Sequence, residues 1–215
     1  MTGGALAMGH YIGFNNPARL INDLYQENRA QHGGAVAGHN GSIAGELRIK
    51  RSTFVANKAE EGGAVTSDTH LYINNSTFSK NHAVDAGGAI AMTQPYLAYG
   101  ISNSTFFANS VDQPQGGSVL FVPALLVSGD IAVFNSIMGE NVGDECSTTS
   151  INDFVIGEHN LTETNSCDPN NGSASAAFGL GNPFSLGAVF GISLPRDQRG
   201  VARVGNCDIG AFEFQ

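Results

Sequence analysis

Apolar positions in this chain recur in short runs that alternate with polar residues, and glycine and asparagine separate the runs. Such runs predict β-strands, because their spacing does not follow the period of a helix. The clearest phrase, STFSKNHAVDAGGAI, covers residues 76–90, and related phrases begin at Ser52 and Ser104. A weaker copy covers residues 24–36, and a half-copy covers 136–141. A repeat of this length is typical of a solenoid.

Three apolar ladders emerge when the copies are aligned, and each ladder predicts one strand per repeat. The first ladder follows the glycine pairs, at Leu6, Val36, Val65, Ile90 and Val119. The second lies five residues before the aromatic position, at Leu20, Ile49, Ile73, Ile101 and Val133. The third is the aromatic position itself, at Tyr25, Phe54, Phe78, Phe106 and Met138. These ladders predict an all-β fold, a right-handed parallel β-helix (a three-sided solenoid) of about five to seven coils stacked roughly 4.8 Å apart.

Polar residues repeat in the same alignment and predict how the corners are held. Asparagine stands three places after each aromatic position, at Asn28, Asn57, Asn81, Asn109 and Asn141. We expect these amides to form a ladder that pairs backbone groups inside a turn. The serines two places before the aromatic should point inward with it, and the threonines between them should point outward. Paired glycines tolerate positive φ and predict a corner before each strand of the first ladder.

The alternation of GGA[I/V/L] with FxxN resembles the repeats of polymorphic outer membrane proteins. The first motif matches at residues 3–6, 33–36, 62–65 and 87–90, and the second at 54–57, 78–81 and 106–109. The resemblance covers about residues 3–141. It implies a surface-exposed bacterial β-helix, and several members of that group act as adhesins.

The C-terminal residues resemble a second family. DQRG at 197–200 and CDIGAFE at 207–213 are similar to the ending of bacterial surface proteins with the choice-of-anchor Q domain. The resemblance covers about 17 residues and implies a surface passenger without a settled activity. That family has a second cysteine just before DQRG, which this chain lacks, so the resemblance gives no partner for Cys207.

A change of pattern at Cys146 predicts two parts, repeat coils at 1–145 and last coils with a loop-rich C-terminal cap at 146–215. Cys146 and Cys167 flank a polar excursion and are a candidate disulfide, which favours an oxidising compartment. A glycine pair already lies at residues 3–4, so we expect the N-terminal cap to be missing and the open edge to self-associate. These features predict an extracellular or cell-surface location, as a fragment of a longer exported protein.

Charge excludes some classes of partner. The formal net charge is −9, with 10 Lys and Arg against 19 Asp and Glu, and the cations form no cluster along the sequence. Nucleic acids and anionic membranes are therefore not expected partners. No apolar run reaches the length of a membrane-spanning helix.

One polar cluster follows the strands of the first ladder. When the copies are aligned by their glycine pairs, four residues gather on three neighbouring coils near the end of one strand: His10, His39, Asp68 and His70. Imidazoles with a carboxylate are the ligand set of a catalytic zinc site, so a divalent metal (zinc, manganese or calcium) is the candidate cofactor. The alternative interpretation is a solvated polar edge, where His and Asp fill the turns between strands.

A second polar cluster precedes the glycine pairs. His32 is aligned with Glu61, and Gln31 is aligned with Glu60 and Asp85. These carboxylates, with His32, are candidates for acid–base catalysis on a glycan or for calcium binding. The alternative is a solvated acidic turn, since exposed carboxylates seldom have the raised pKa that an acid catalyst needs.

Three hypotheses about function remain open from the sequence. The first is a non-enzymatic, adhesin-like surface module that binds glycans or a partner protein. The second is a metal-assisted hydrolase or polysaccharide lyase that uses one of the two polar clusters. The third is a structural stalk. Metal analysis of the purified protein separates the first two hypotheses.

Overall fold

The computed structural model describes residues 4–8, 17–39, 45–94, 99–114, 116–122 and 131–148, together with Asn160, Thr162 and Ser166. Every regular element in these residues is a β-strand. The first strands are β1 (Leu6–Met8), β2 (Ala18–Ile21), β3 (Leu24–Gln26), β4 (Val36–Gly38), β5 (Glu46–Lys50), β6 (Thr53–Val55) and β7 (Lys58–Glu61). The next are β8 (Val65–Ser67), β9 (His70–Asn74), β10 (Thr77–Ser79), β11 (His82–Ala86), β12 (Ile90–Met92) and β13 (Tyr99–Ser102). The last are β14 (Thr105–Phe107), β15 (Ser110–Val111), β16 (Leu120–Val122), β17 (Ile131–Phe134), β18 (Ile137–Gly139) and β19 (Cys146–Thr148).

Parallel strands from successive coils form four sheets that follow one another around each coil. Sheet A contains β1, β4, β8, β12, β16 and β19, and sheet B contains β2, β5, β9, β13 and β17. Sheet C contains β3, β6, β10, β14 and β18, and sheet D contains β7, β11 and β15. The predicted all-β parallel solenoid is confirmed, with about four turns, but it has four sheets and not the predicted three sides, because β7, β11 and β15 pair with one another as a separate sheet. Its handedness and the count of five to seven coils stay predictions.

The three predicted apolar ladders line the inside of sheets A, B and C. In sheet C the rings of Phe54 and Phe78 stack with centroids 4.6 Å apart and 4° between their planes. Tyr25 extends the stack at 4.8 Å on one side, and Phe106 extends it at 5.0 Å on the other. These distances match the spacing of roughly 4.8 Å between hydrogen-bonded strands, so one ring per coil fills this side of the core.

One member of the first ladder was predicted wrongly. Ile90 pairs in register with Leu120, so Leu120 and not Val119 continues the ladder. The left-handed glycine of this coil is Gly117 (φ 66), the second of its pair, whereas Gly87 (φ 65) is the first of its pair. The corner needs a positive φ three residues before the inward residue of the strand. Alignment by glycine pairs alone therefore shifts this copy by one residue.

The asparagine ladder is confirmed, and it forms the corner between sheets C and D. Asn57 donates to Asn81 Oδ1 from its backbone N at 3.0 Å and from its Nδ2 at 2.9 Å. Asn81 donates in the same way to Asn109 Oδ1, at 3.0 Å from both nitrogens. Asn81 Nδ2 also donates to the carbonyl of Phe54 at 3.1 Å. These asparagines are fully buried, so each rung pairs backbone groups that the turn would otherwise strand.

A serine ladder forms the corner between sheets B and C. The backbone N of Ser52 donates to Ser76 Oγ at 3.2 Å, and the backbone N of Ser76 donates to Ser104 Oγ at 3.2 Å. These serines are fully buried, as predicted. The backbone N of Ser136 donates to Asn160 Oδ1 at 3.0 Å, so asparagine takes the place of serine one coil further on.

Cys146 begins β19 and is disulfide-bonded, with its partner outside the described residues. Its backbone N donates to Ser166 Oγ at 3.1 Å, so the residue that precedes Cys167 lies beside it. The pairing with Cys167 stays a prediction, and so does the cap at 146–215, most of which lies outside the described residues.

Candidate functional site

The outer face of sheet A forms the floor of a cleft that crosses several coils, which we call the sheet A cleft. Its floor is a row of outward residues in register, in which Thr66 pairs with Ala37 on one side and with Ala91 on the other. Ala91 pairs in turn with Phe121. Sequence reasoning did not single out this row. A signal was present, because a small residue follows each of Val36, Val65 and Ile90 in the first ladder.

Two adjoining cavities make up the sheet A cleft, with volumes of about 250 and 230 Å³. Glu61 and Thr93 line both cavities, so the cleft continues past these two residues. Phe121 lines the second cavity and gives that end of the cleft an aromatic ring.

His32 and Glu61 form one wall of the cleft, where sheet D ends. They face each other on adjacent coils through an isolated parallel bridge. His32 Nδ1 lies 3.2 Å from Glu61 Oε2, and the two side chains are 39% and 38% exposed. Because both are accessible, this pair can exchange its mutual contact for contacts with a ligand. The predicted alignment of His32 with Glu61 is thus present as a direct contact.

His39 forms the opposite wall and contacts Asp68. His32 lies before β4 and His39 follows β4 directly, so the strand separates the two walls. His39 Nδ1 lies 2.6 Å from Asp68 Oδ2, with the imidazole 65% exposed and the carboxylate 6% exposed. A buried carboxylate orients an exposed imidazole, so Asp68 presents His39 at the mouth of the cleft. His39 from one predicted polar cluster and His32 with Glu61 from the other therefore border one cleft.

The other two candidate carboxylates do not line the cleft within the described residues. Gln31 Nε2 donates to the exposed Glu60 Oε2 at 3.1 Å, which matches the predicted alignment of these residues. Asp85 is exposed and lies where the pairing of β11 with β7 is irregular. The irregularity moves Asp85 out of the regular stack, because extra residues there oppose a shorter partner segment.

The predicted metal ligands are brought together only in part. His70 begins β9 and pairs in register with Glu46 of β5 rather than with His39. His10 lies outside the described residues. The described part of the chain contains no group of three or more His, Cys, Asp or Glu placed to hold a metal ion. His39 and Asp68 would supply two ligands, and the metal site stays a prediction.

Tyr99 lies near Asp68 and was not predicted as part of the site. It is 2% exposed, and its Oη donates to the carbonyl oxygen of Gln94. Burial raises the pKa of Tyr99 well above its usual value, and the negative charge of Asp68 adds to this. The hydroxyls of Ser67 and Thr69, which flank Asp68, are 3.0 Å apart and buried. Asp68 is therefore held among buried polar groups, which fixes its position.

Comparison with family models, with curated proteins and with solved structures found no match for this chain. Within the described residues, no helix has the length and apolar character needed to cross a membrane.

Proposed function

We propose that this protein is a cell-surface β-solenoid module, adhesin-like, that binds a glycan chain along the sheet A cleft. The observation that carries the proposal is the continuity of the cleft across β8 and β12, where Glu61 and Thr93 line both cavities. A linear polymer suits a linear cleft, and the floor is linear because successive strands are paired in register. The repeat resemblance supports the location at the cell surface.

The residues that line the cleft suit a sugar. Ala37 and Ala91 have small side chains and are almost fully buried at the floor, and Phe121 offers a flat apolar surface to the C–H face of a sugar ring. The imidazoles and Glu61 exchange hydrogen bonds with hydroxyl groups. A mostly apolar lining with a few convergent polar groups is typical of ligand sites. The exposed Glu61 carboxylate opposes an anionic chain, so we expect a neutral glycan.

The test is to fill the floor of the cleft. A panel of neutral polysaccharides is screened, and affinity for each binder is measured by calorimetry for the natural protein and for Ala91→Trp. We expect the added ring to abolish binding, because Ala91 lines the second cavity and a tryptophan side chain there fills it. Thr77→Trp is the matched control, since Thr77 faces outward on sheet C. Unchanged binding by Ala91→Trp, or equal loss in both variants, would contradict this site.

A second candidate function, cleavage of the bound glycan, is favoured by the two His–carboxylate pairs on opposite walls. Glycoside hydrolysis needs one group that protonates the leaving oxygen and another that activates water. Glu61 and His39 stand on opposite sides of the floor and are the candidates for these roles. A divalent metal held by His39 and Asp68 with further ligands would supply an activated water.

Product release from each bound glycan, measured by reducing-end assay, tests this candidate. His39→Ala and Glu61→Gln should each abolish turnover while the fold survives, and a chelator should act like His39→Ala if a metal takes part. His82→Ala is the matched control, because His82 makes a similar contact of 3.6 Å with Asp112 outside the cleft. Turnover that ignores both cleft variants would leave the binding function alone.

A further inference from the structure

The cations of this acidic chain gather in space although they are scattered in the sequence. Arg19 of β2 pairs in register with Arg48 of β5, and Lys50 of β5 lies beside Ile21 of β2. Arg51 follows Lys50 at the corner between sheets B and C. Three of the chain's 10 Lys and Arg therefore share the outer face of sheet B on two adjacent coils, and Arg51 borders this face with its Nε buried. We call these four residues the sheet B cationic surface.

Strand alternation turns this surface outward. Leu20 and Ile49 are buried in the core, so the residues on either side of them face away from it. Arg19 is exposed, and the Arg48 side chain is 52% exposed. Like charges placed directly opposite each other in a sheet repel, and the repulsion is about 1 kcal/mol at 4 Å in water. An anion between them would remove that cost.

Only part of this positive charge is compensated by the chain's own carboxylates. Arg48 Nε pairs with Glu46 Oε1 on the same strand, and Glu46 is 5% exposed. Asp23 lies one corner away, where its backbone N donates to Ser52 Oγ at 3.3 Å. Among the described residues, two carboxylates therefore accompany four cations, and this surface is positive on a chain of net charge −9.

Two buried polar atoms beside this surface have no hydrogen-bonding partner among the described residues. They are Arg51 Nε, a donor, and Asn74 Oδ1, an acceptor. The two residues are neighbours, because the backbone N of Arg51 donates to the carbonyl of Asn74 at 3.1 Å. Both atoms are buried, so the side chains must move before a hydroxyl group can accept from the guanidinium and donate to the amide oxygen.

We propose that the sheet B cationic surface binds an acidic polysaccharide. Its carboxylate or sulfate groups pair with Arg19, Lys50 and the outer nitrogens of Arg48, and its hydroxyls reach Arg51 and Asn74 once these side chains move. Guanidinium groups are suited to this role, because their planar fork matches the oxygens of an oxyanion. Tyr72 pairs with Arg48 in register and places an aromatic ring beside the charges. This site is independent of the sheet A cleft.

The same observations disfavour nucleic acid as the occupant. A DNA backbone offers phosphate oxygens, which are acceptors, and it brings no hydroxyl to the acceptor Asn74 Oδ1. An acidic polysaccharide carries anionic groups and hydroxyls on the same chain. Duplex DNA therefore belongs in the test as a competing ligand.

The experiment measures binding of polygalacturonate, dextran sulfate, unmodified dextran and duplex DNA to the whole protein at low and high salt. The test variant combines Arg19→Glu and Lys50→Glu. The control combines Lys58→Glu and Lys80→Glu, which make the same change in net charge at exposed positions elsewhere. Far-UV circular dichroism and melting establish that both variants are folded, and Arg19→Gln with Lys50→Gln replaces the test variant if it is not.

We expect polygalacturonate or dextran sulfate to bind, with an affinity that falls as salt rises. The test variant should lose at least roughly tenfold in affinity, and the control should stay within about twofold. Whichever polymer binds more tightly identifies carboxylate or sulfate as the preferred group. The proposal is overturned if neither polymer binds, if both variants lose affinity equally, or if dextran or duplex DNA binds as tightly as the acidic polymers.

Discussion

The connections between strands are constant in length in one half of the coil and vary from coil to coil in the other half. In one half, which we call the constant half, two residues join sheet C to sheet D in each coil, at 56–57, 80–81 and 108–109. In the other, the variable half, the connections from sheet A to sheet B are 39–45, 68–69 and 93–98. Buried ladders fill the constant half, and His39, Asp68 and Thr93 lie in the variable half. Pairing between coils fixes the length of one half, and the other half supplies His39 and Thr93 to the cleft.

Hydrogen bonding explains the difference. Asn81 in the constant half contacts the coil on each side through its amide, so its position is set from both directions. A residue added before it would break contacts with two coils at once. The connections of the variable half are surface segments, and lengthening such a segment has a small entropic cost.

The largest expected effect comes from inserting one glycine between Lys80 and Asn81. The insertion moves Asn81 off its two neighbours and should lower the free energy of unfolding by roughly 3 kcal/mol or more. The matched insertion after Gln94, in the variable half, should lower it by less than about 0.5 kcal/mol. Urea denaturation compares the two, and equal losses would show that the halves do not differ.

Asn81→Ala sharpens the same comparison without changing chain length. It removes the acceptor for Asn57 and the donor for the Phe54 carbonyl, and should lower the free energy of unfolding by roughly 1–3 kcal/mol. Lys80→Ala, at the exposed residue next to it, is the control. A thermal midpoint for Asn81→Ala that equals the natural value would show that the ladder contributes nothing to stability.

Alkaline pH should destabilise the folded protein through Tyr99, which begins β13 directly after the variable connection 93–98. Its pKa is raised in the folded protein above the usual 10.0, so the folded state keeps its proton when the unfolded state loses it. The stabilisation is present below pH 10 and is lost as pH rises above it. Tyr99→Phe should therefore flatten the alkaline fall in stability, measured by urea denaturation between neutral and strongly alkaline pH.

Tyr25→Phe in the aromatic stack gives the matched control for the constant half. Burial also raises the pKa of Tyr25, with a contribution from the charge of Asp23, but Tyr25 is more exposed than Tyr99. Its removal should flatten the alkaline fall less. An equal effect of the two substitutions would mean that the deeper burial of Tyr99 near Asp68 does not increase its contribution to the alkaline fall in stability.

The smallest expected effect is at Ala108, which is left-handed (φ 54) directly before Asn109. A left-handed alanine costs roughly 1–2 kcal/mol, and Ala108→Gly removes that cost while adding freedom to the unfolded chain, worth about 0.4–1 kcal/mol. The net gain should be about 0.5 kcal/mol, visible as a small rise in melting temperature. Ala83→Gly, in a strand, should lower stability instead.

The repeat predicted the constant half well because inward residues, serines and asparagines each occupy a fixed distance from the aromatic. The alignment was wrong at Val119, because the left-handed glycine of this coil is the second of its pair and not the first. Sheet D was not predicted as a separate sheet, since its strands β7, β11 and β15 carry few large apolar residues. Local composition gives little signal for such strands.

The candidate sites were less predictable because they depend on the shape of the outer surface. The contacts of His32 with Glu61 and of His39 with Asp68 were predictable, because the sequence alignment places the members of each pair at equivalent positions in adjacent coils. That His32, Glu61 and His39 line one cavity depends on how sheets D and A adjoin, which no ladder encodes. The sheet B cationic surface was missed because Arg19 and Arg48 are far apart in the sequence and were not aligned as a ladder.

Because the rungs of the asparagine ladder are equivalent, a whole coil could be gained or lost at them. Asn57 and Asn81 make the same bonds to the next rung, so the ends of segment 58–81 present matching junctions. Duplicating this segment would add one whole coil between like surfaces, and losing it would rejoin them. Glu61 and Asp68 belong to the segment, so one change in copy number would alter both the reach of the cleft and the number of its polar contacts.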